Sequence, residues 1–144
     1  MRNKIHLAKD ISYIQQEECC VIDVGRILAK EAEKDFKKFV TESKFDSFIY
    51  FRQILDSFID YKKKYLVFSN IGILLETHFS LDVPRFLLEY AKNFQVFIIQ
   101  GIFNYIDGNK LTWNVENPYN VIEFNDGVLE VYLMGETYEI FRTY

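Results

Sequence analysis

Two almost unbroken apolar runs place this chain in the α/β class. Residues 65–69 are "YLVFS" and residues 94–100 are "FQVFIIQ", and runs without polar alternation are typical of strands covered on both faces. Between them, "LDVPRFLLEYAKN" has a helical pattern, with Asp82 able to cap the helix and Pro84 in its first turn. Two strands joined by such a helix form a β-α-β unit with parallel strands. The sequence therefore predicts a short parallel sheet with flanking helices.

The residues before this unit predict one more strand and two more helices. The run "CCVID" (19–23) is short and apolar, and "GRILAKEAEKDFKKFV" after it places apolar side chains at helical spacing. A polar break, "TESKFD", is expected before a second helix, "SFIYFRQILDSFIDYKKK", which Asp46 or Ser47 can cap. This order of elements extends the α/β core toward the N-terminus.

From Lys110 the pattern changes to short β-rich runs. The segment "NDG" (125–127) between Phe124 and Val128 predicts a tight hairpin turn, because these residue types tolerate positive φ. A length of 144 residues fits one domain. We therefore expect a single domain over 1–144, with an α/β core over 1–109 and a β-rich section of antiparallel hairpins over 110–144.

Charge and composition exclude several classes of protein. The net charge of -4 and pI near 5.2 argue against a broad phosphate-binding surface, so direct binding of nucleic acid is not expected. No apolar stretch approaches a membrane span, and the first residues lack the apolar core of a leader, which predicts a cytoplasmic protein without membrane contact. Cys19 and Cys20 are adjacent, which is neither a disulfide framework nor a metal or redox spacing, so we expect buried reduced thiols.

The chain lacks the residues that nucleotide hydrolysis requires. A P-loop needs a glycine-rich segment ending in Lys and Ser or Thr, whereas only Gly25 lies near a strand-to-helix junction, where it fits a tight turn. The strand "YLVF" leads into Ser69 and Asn70, which cannot supply a carboxylate to Mg²⁺. His6 and His78 are far apart and have no ligand partners in metal-site spacing. We expect no catalytic, cofactor-binding or metal residues, and no enzymatic activity.

Three segments, in this order, carry a likeness to a known family. The first is "LVFSNIGILLE", the second is "LDVPRFLLEYAKNFQVFIIQG" and the third is "DGNKLTWNVENPYNVIEF". Together they resemble the small P-loop protein of type 3 BREX phage-defence systems, and the likeness spans most of residues 19–124. Ser69 stands at that family's Asp position and Gly72 at its Glu position, while Asn70 and Ile71 are kept. The resemblance implies a degenerate P-loop, AAA-like core without the Walker A loop and the Walker B carboxylate.

The resemblance implies a non-catalytic binding or assembly subunit that docks on an operon-encoded protein of a prokaryotic phage-defence complex. The alternative is a small acidic inhibitor or immunity protein that neutralises an enzyme, because acidic faces attract basic surfaces and aromatic residues anchor interfaces. The sequence also leaves open a homo-oligomer that pairs through an exposed strand edge.

The candidate partner-binding residues form two groups. One lies at a strand end, where parallel sheets place functional groups, and its alternative role is a hydrogen-bonded turn. The other is aromatic, in the C-terminal section, and its alternative role is to fill the core under the sheet. The candidates are Ser69, Asn70 and Gly72 in the first group and Trp113, Tyr119, Tyr132, Tyr138 and Phe141 in the second.

Overall fold

A computed structural model describes residues 4–12, 14–101, 104–106, 110–112, 121–124, 129–133 and 139–142. The strands are β1 (Ile5–Ala8), β2 (Cys19–Asp23), β3 (Tyr65–Ser69), β4 (Val96–Gln100), β5 (Asn104–Ile106), β6 (Lys110–Thr112), β7 (Val121–Glu123), β8 (Leu129–Leu133) and β9 (Glu139–Arg142). The α-helices are α1 (Val24–Lys34), α2 (Phe36–Asp56) and α3 (Val83–Ala91). None of the helices in these ranges is long and apolar enough to cross a membrane.

The main sheet has six strands in the order β2-β3-β4-β1-β8-β9. Its first five strands run parallel, and β9 pairs with β8 in the antiparallel sense at the edge. A second, antiparallel sheet contains β5, β6 and β7. The predicted α/β class is confirmed, as is the β3-α3-β4 unit with parallel strands.

Two strand assignments depart from the sequence prediction. Strand β1 was not predicted, because its four residues are few and include His6, yet it lies in the middle of the sheet between β4 and β8. The turn predicted at residues 125–127 lies outside the described residues, but the strands on either side of it do not form a hairpin with each other, since β7 pairs with β6 while β8 pairs with β1 and β9. Strand β8 completes the open side of β1 instead of pairing with β7.

Single aspartates interrupt the helical region in two places. Asp35 (φ -154, ψ 87) separates α1 from α2, and Asp46 (φ -157, ψ 90) kinks α2. Each side chain accepts a hydrogen bond from a backbone N–H three residues later, on Lys38 and Ile49 respectively, both at 3.0 Å. The predicted cap at Asp46 is confirmed, but the predicted break "TESKFD" is wrong, because one non-helical residue can both end one helical segment and cap the next.

The two faces of the main sheet are covered differently. On one, which we call the helix face, α1, α2 and α3 bury side chains that include Leu28, Phe51 and Phe86 against alternate residues of the strands. On the other, which we call the opposite face, Val67 and Ile98 form a smaller cluster with the residues that follow β1. All three α-helices therefore lie on one side of a mainly parallel sheet.

Candidate functional site

The carboxyl ends of the parallel strands form one row of residues across the sheet. The register aligns Asp23 with Ser69, Ser69 with Gln100, and Gln100 with Ala8. Ala8 is also aligned with Tyr132 of β8. Two predicted partner-binding positions, Ser69 and Tyr132, therefore belong to the same row, at the edge where parallel α/β sheets bind ligands.

Asn70 joins the ends of β2 and β3 through its own hydrogen bonds. Its backbone is left-handed (φ 56, ψ 52), a conformation that asparagine tolerates better than most residues. Its side-chain Nδ2 donates to Oδ1 of Asp23 at 3.1 Å, and its carbonyl accepts from the N–H of Gly25 at 3.0 Å. The same Asp23 oxygen accepts from the backbone N–H of Arg26 at 3.0 Å, which caps α1. The Asp23 carboxylate thus holds both the helix start and Asn70.

Gly25 is required by the close approach of Asn70. A Cβ atom at position 25 would lie 2.3 Å from Nδ2 of Asn70 and 3.0 Å from its carbonyl oxygen. Such distances force one of the groups to move, and the backbone oxygen cannot move without disturbing β3. Glycine at position 25 therefore leaves the space that the close contact between the two strand ends requires.

The residues after Asn70 form a packed turn. Ser69 is half-buried, and Ile71–Leu75 is a 3₁₀ turn in which Ile71 and Leu74 are buried in the core. Gly72 lies inside this turn and is half-buried. Asn70 and the residues after it therefore form a hydrogen-bonded, packed turn at the end of β3.

The end of β1 carries a different polar turn. The N–H of Ser12 donates to Oδ1 of Asp10 at 2.9 Å, and the Ser12 hydroxyl donates to Oδ2 at 2.8 Å. These bonds, the hydroxyl bond first, lower the pKa of the exposed Asp10 carboxyl. Residues 9–18, which lead from β1 to β2, contain no glycine, and the part of this segment that the structure describes, 9–12 and 14–18, contains no α-helix. The Asp10 carboxylate, just after β1, is therefore ionised at neutral pH.

Two titratable side chains, His6 of β1 and Cys19 of β2, are held in their neutral forms. His6 is fully buried, and burial, followed by the positive charges of the N-terminus and Lys4, lowers its pKa to about 4. Burial also raises the pKa of the Cys19 thiol, whose Sγ donates to the carbonyl of Gln15 at 3.4 Å. A neutral thiol is a poor nucleophile. Within the described ranges, no three or more His, Cys, Asp or Glu side chains are grouped to hold a metal ion.

The remaining predicted residues are spread over the C-terminal section. Trp113, Tyr119 and Tyr138 lie outside the described residues. Phe141 is in β9, where the register aligns it with Val131 of β8. The sequence interpretation missed the role of Asp23, although an aspartate directly between a strand and a helix is a recognisable capping signal.

A second surface feature lies at the kink of α2. A groove of about 460 Å³ runs between this kink and the start of α3, and Phe45, Ile49 and Arg85 are among its lining residues. The Arg85 guanidinium lies 5.0 Å from the centre of the Phe48 ring, on the α2 side of the groove. Phe45 is 88% exposed. The sequence interpretation missed this groove because Phe45 fell inside the predicted polar break.

The chain matches no protein-family model, no curated protein and no solved structure. Its function is therefore inferred from its own residues.

Proposed function

We propose that this chain is a non-catalytic binding or assembly subunit of a prokaryotic phage-defence complex, built on a degenerate P-loop-like scaffold and docked on an operon-encoded protein. The observation that carries the proposal is the strand-end arrangement of Asp23, Gly25 and Asn70. These groups hydrogen-bond to each other and hold the turn after β3 in place. The strands and helices form the scaffold, and the polar residues at the strand ends serve to hold this turn.

The electrostatics at the end of β1 also support a role without nucleotide hydrolysis. A P-loop follows its strand with glycines whose N–H groups surround the phosphates. Here the residues after β1 include Asp10, whose carboxylate repels an anion and already accepts two hydrogen bonds from Ser12. Ser69, at the end of β3, has no carboxylate for Mg²⁺.

Exposed apolar side chains support a binding role. Phe45 and Ile49 are 88% and 55% exposed and both line the groove at the α2 kink. Contiguous exposed apolar surface beside a groove is typical of protein interaction sites. The helical layer therefore offers a docking surface that requires no chemistry at the strand ends.

The catalytic half of the proposal is tested with nucleotides. We expect calorimetric titration of the purified chain with Mg²⁺-ATP and Mg²⁺-GTP to give no binding heat, and phosphate release to equal that of a buffer blank. Ser69→Ala is the matched variant, because it removes the hydroxyl at the Walker-type position without touching the Asp23 contacts. Micromolar binding, or turnover that Ser69→Ala abolishes, would refute the proposal.

The assembly half is tested in the host. The tagged chain, expressed at its native level, should co-purify in fixed stoichiometry with proteins encoded beside its gene, and deletion of the gene should raise the plating efficiency of phage. Wild type and Ser69→Ala should restore protection equally. If the purified chain instead blocks one enzyme by itself and no stoichiometric complex forms, the inhibitor alternative is correct and the proposal is wrong.

A further inference from the structure

Strand β2 forms one edge of the main sheet, and its outer side has no strand beside it. It pairs with β3 along all five of its residues and with no other described strand. Among the residues that the structure describes, no backbone hydrogen bond other than those to β3 involves Cys20, Val21 or Ile22. The outer side of an edge strand presents a row of backbone N–H and C=O groups to which another strand can add.

β2 lacks the features that commonly protect an edge strand from pairing. It contains no lysine and no proline, and its continuous register with β3 leaves no bulge. Val21, at its centre, is 48% exposed. Its register partner Val67 belongs to the cluster on the opposite face, but Val21 is outside that cluster. An exposed β-branched side chain in the middle of an edge strand suits a further strand at this edge.

The loop between α2 and β3 adds exposed apolar side chains beside β2. The Cys20 thiol donates to the carbonyl of Phe58 at 3.8 Å, and the N–H of Asp60 donates to the Cys20 sulfur at 3.4 Å. These contacts involve the side chain of Cys20, which packs toward the helix face, and not its backbone. Phe58 and Tyr61 of this loop are 53% and 45% exposed. Apolar surface is therefore exposed next to β2 on the helix face as well as at Val21.

The charges at the two ends of β2 suit an antiparallel pair of identical strands. Glu17 and Glu18 precede the strand, and the exposed Arg26 lies in the first turn of α1, just after it. Asp23 is at the same end as Arg26, but its Oδ1 already accepts hydrogen bonds from the Arg26 N–H and from Asn70. In an antiparallel pair, the glutamates of one copy approach Arg26 and the α1 N-terminus of the other. A parallel pair would bring like charges together.

We propose that β2 pairs with β2 of a second copy of this chain, antiparallel and centred on Val21, so that the two main sheets join into one. This register pairs all five residues of both strands and places Val21 opposite the partner copy's Val21. The same surface is used by both copies, so the interface is isologous and association stops at two. The inference goes beyond the proposed function, since it holds whether or not an operon-encoded protein binds.

The first test is sedimentation equilibrium of the full chain from micromolar to millimolar concentration. The mass should rise from 17.2 kDa to twice that value and then stay constant. Val21→Lys should weaken dimerisation about tenfold, because two like charges would lie opposite each other. Gln95→Lys, which adds the same charge at an exposed residue before β4, is the control and should change dimerisation less than about twofold. A single 17.2 kDa species throughout, or equal effects of the two variants, would refute the proposal.

Disulfide formation tests the register by a gain of signal, so it does not depend on a variant losing association. In a chain with Cys19→Ala and Cys20→Ala, Val21→Cys places two thiols opposite each other, with Cβ atoms about 5 Å apart, close to the separation that a disulfide spans. Oxidation with diamide should convert most of this chain to a covalent dimer. Gln95→Cys in the same background is the control and should stay unlinked. Equal cross-linking of the two chains would indicate random collisions and contradict the register.

Exchange of charges distinguishes a second copy from another protein at the same edge. Glu17→Lys and Arg26→Glu should each weaken dimerisation about fivefold at low salt, and the double variant should restore it, because each new lysine meets a new glutamate of the partner copy. Additive losses would rule out the antiparallel arrangement. If the chain is monomeric and Val21→Lys instead abolishes capture of an operon-encoded protein, the edge binds that protein and the proposal is wrong.

Discussion

The two faces of the main sheet differ in the kind of structure that covers them. On the helix face, the Phe68 ring lies 5.0 Å from both Tyr90 and Phe97, in edge-on contacts that link β3, β4 and α3. On the opposite face, Val67 and Ile98 are equally buried, but their described cover includes Ile11 and the half-buried Ile14. The buried strand residues are thus covered by helices on one face and by an irregular segment on the other.

The irregular cover has its own polar anchors. The Gln16 side chain donates from Nε2 to the carbonyls of Ile11 and Ile14, at 2.8 and 3.1 Å. Lys63 donates to the carbonyl of Glu17 at 2.6 Å and attaches the segment to the end of the α2 region. A segment held by a few hydrogen bonds, most of them exposed, adjusts more readily than a packed helix. The helix face should therefore resist substitution, and the opposite face should adapt to it.

Neighbouring isoleucines of β4 give the largest and most direct test. Ile99 is on the helix face and Ile98 on the opposite face, and both are 0% exposed. We expect Ile99→Ala to lower the free energy of unfolding by about 4 kcal/mol and Ile98→Ala by about 2 kcal/mol, because the irregular cover can collapse into the cavity. Urea unfolding followed by circular dichroism measures both. Equal losses would remove the proposed difference between the faces.

Acid should weaken the opposite face through His6. Its pKa is lowered from 6.5 to about 4, so between these values the unfolded chain binds a proton that the native protein does not. The free energy of unfolding should therefore fall as the pH falls from 6.5 through 4, by about 3 kcal/mol in total. Urea unfolding at several pH values measures this, and His6→Leu is the control that should lose this part of the pH dependence. An unchanged slope in His6→Leu would contradict the prediction.

A substitution at Gly25 tests whether the helix face is also fixed at the strand ends. Gly25→Ala places a methyl group 2.3 Å from Nδ2 of Asn70 and should cost about 2 kcal/mol of unfolding free energy. Asn70→Gly keeps the left-handed backbone and removes the amide, so the same alanine should cost less in that background. A double-mutant cycle by thermal unfolding measures the difference. Additive effects would show that the side chain of Asn70 does not contact position 25.

The smallest expected effects concern the aspartates that begin the two halves of α2. Asp35→Ala and Asp46→Ala each remove a carboxylate that accepts a backbone hydrogen bond at 3.0 Å and should each cost about 1 kcal/mol. Glu33→Ala, at an exposed residue of α1, is the control and should change stability by less than about 0.5 kcal/mol. Thermal unfolding at matched pH compares them. A cost at Asp46 equal to that of Glu33 would mean that the kink is held by packing alone.

Much of the helix face could be predicted from the sequence because its signals are local. The apolar run of β4 and the first turn of α3, with Asp82 and Pro84, determine the β3-α3-β4 unit without knowledge of any distant residue. The opposite face could not be predicted in the same way. Its cover depends on Ile11 and Ile14, in a stretch with no periodic pattern, and β8 finds its partner β1 far away in the chain.

Prediction of the candidate site from the sequence was limited in the same way, because only local signals could be interpreted. The sequence identified Ser69 and Asn70 as replacements for an acidic pair, which required only the residues themselves. It did not reveal that Asn70 reaches Asp23 and Gly25, because that contact joins two strand ends far apart in the chain. Nor did it reveal the exposure of Phe45, which depends on a helix continuing through residues that resemble a loop.

The central position of β1 has a consequence for how the protein is made. Among the strands that the structure describes, β1 is synthesised before the others, yet its hydrogen-bonding partners are β4 and β8, so one side of it has no partner until residue 133 has been synthesised. The β2-β3 pair, with α1 and α2, can form earlier. β1 must then join an existing sheet, between β4, which is already synthesised, and β8, which is not. Long-range pairing of this kind slows folding and leaves apolar strand surface open during translation. Among the described strands, β1 therefore remains exposed to aggregation for the longest time during synthesis.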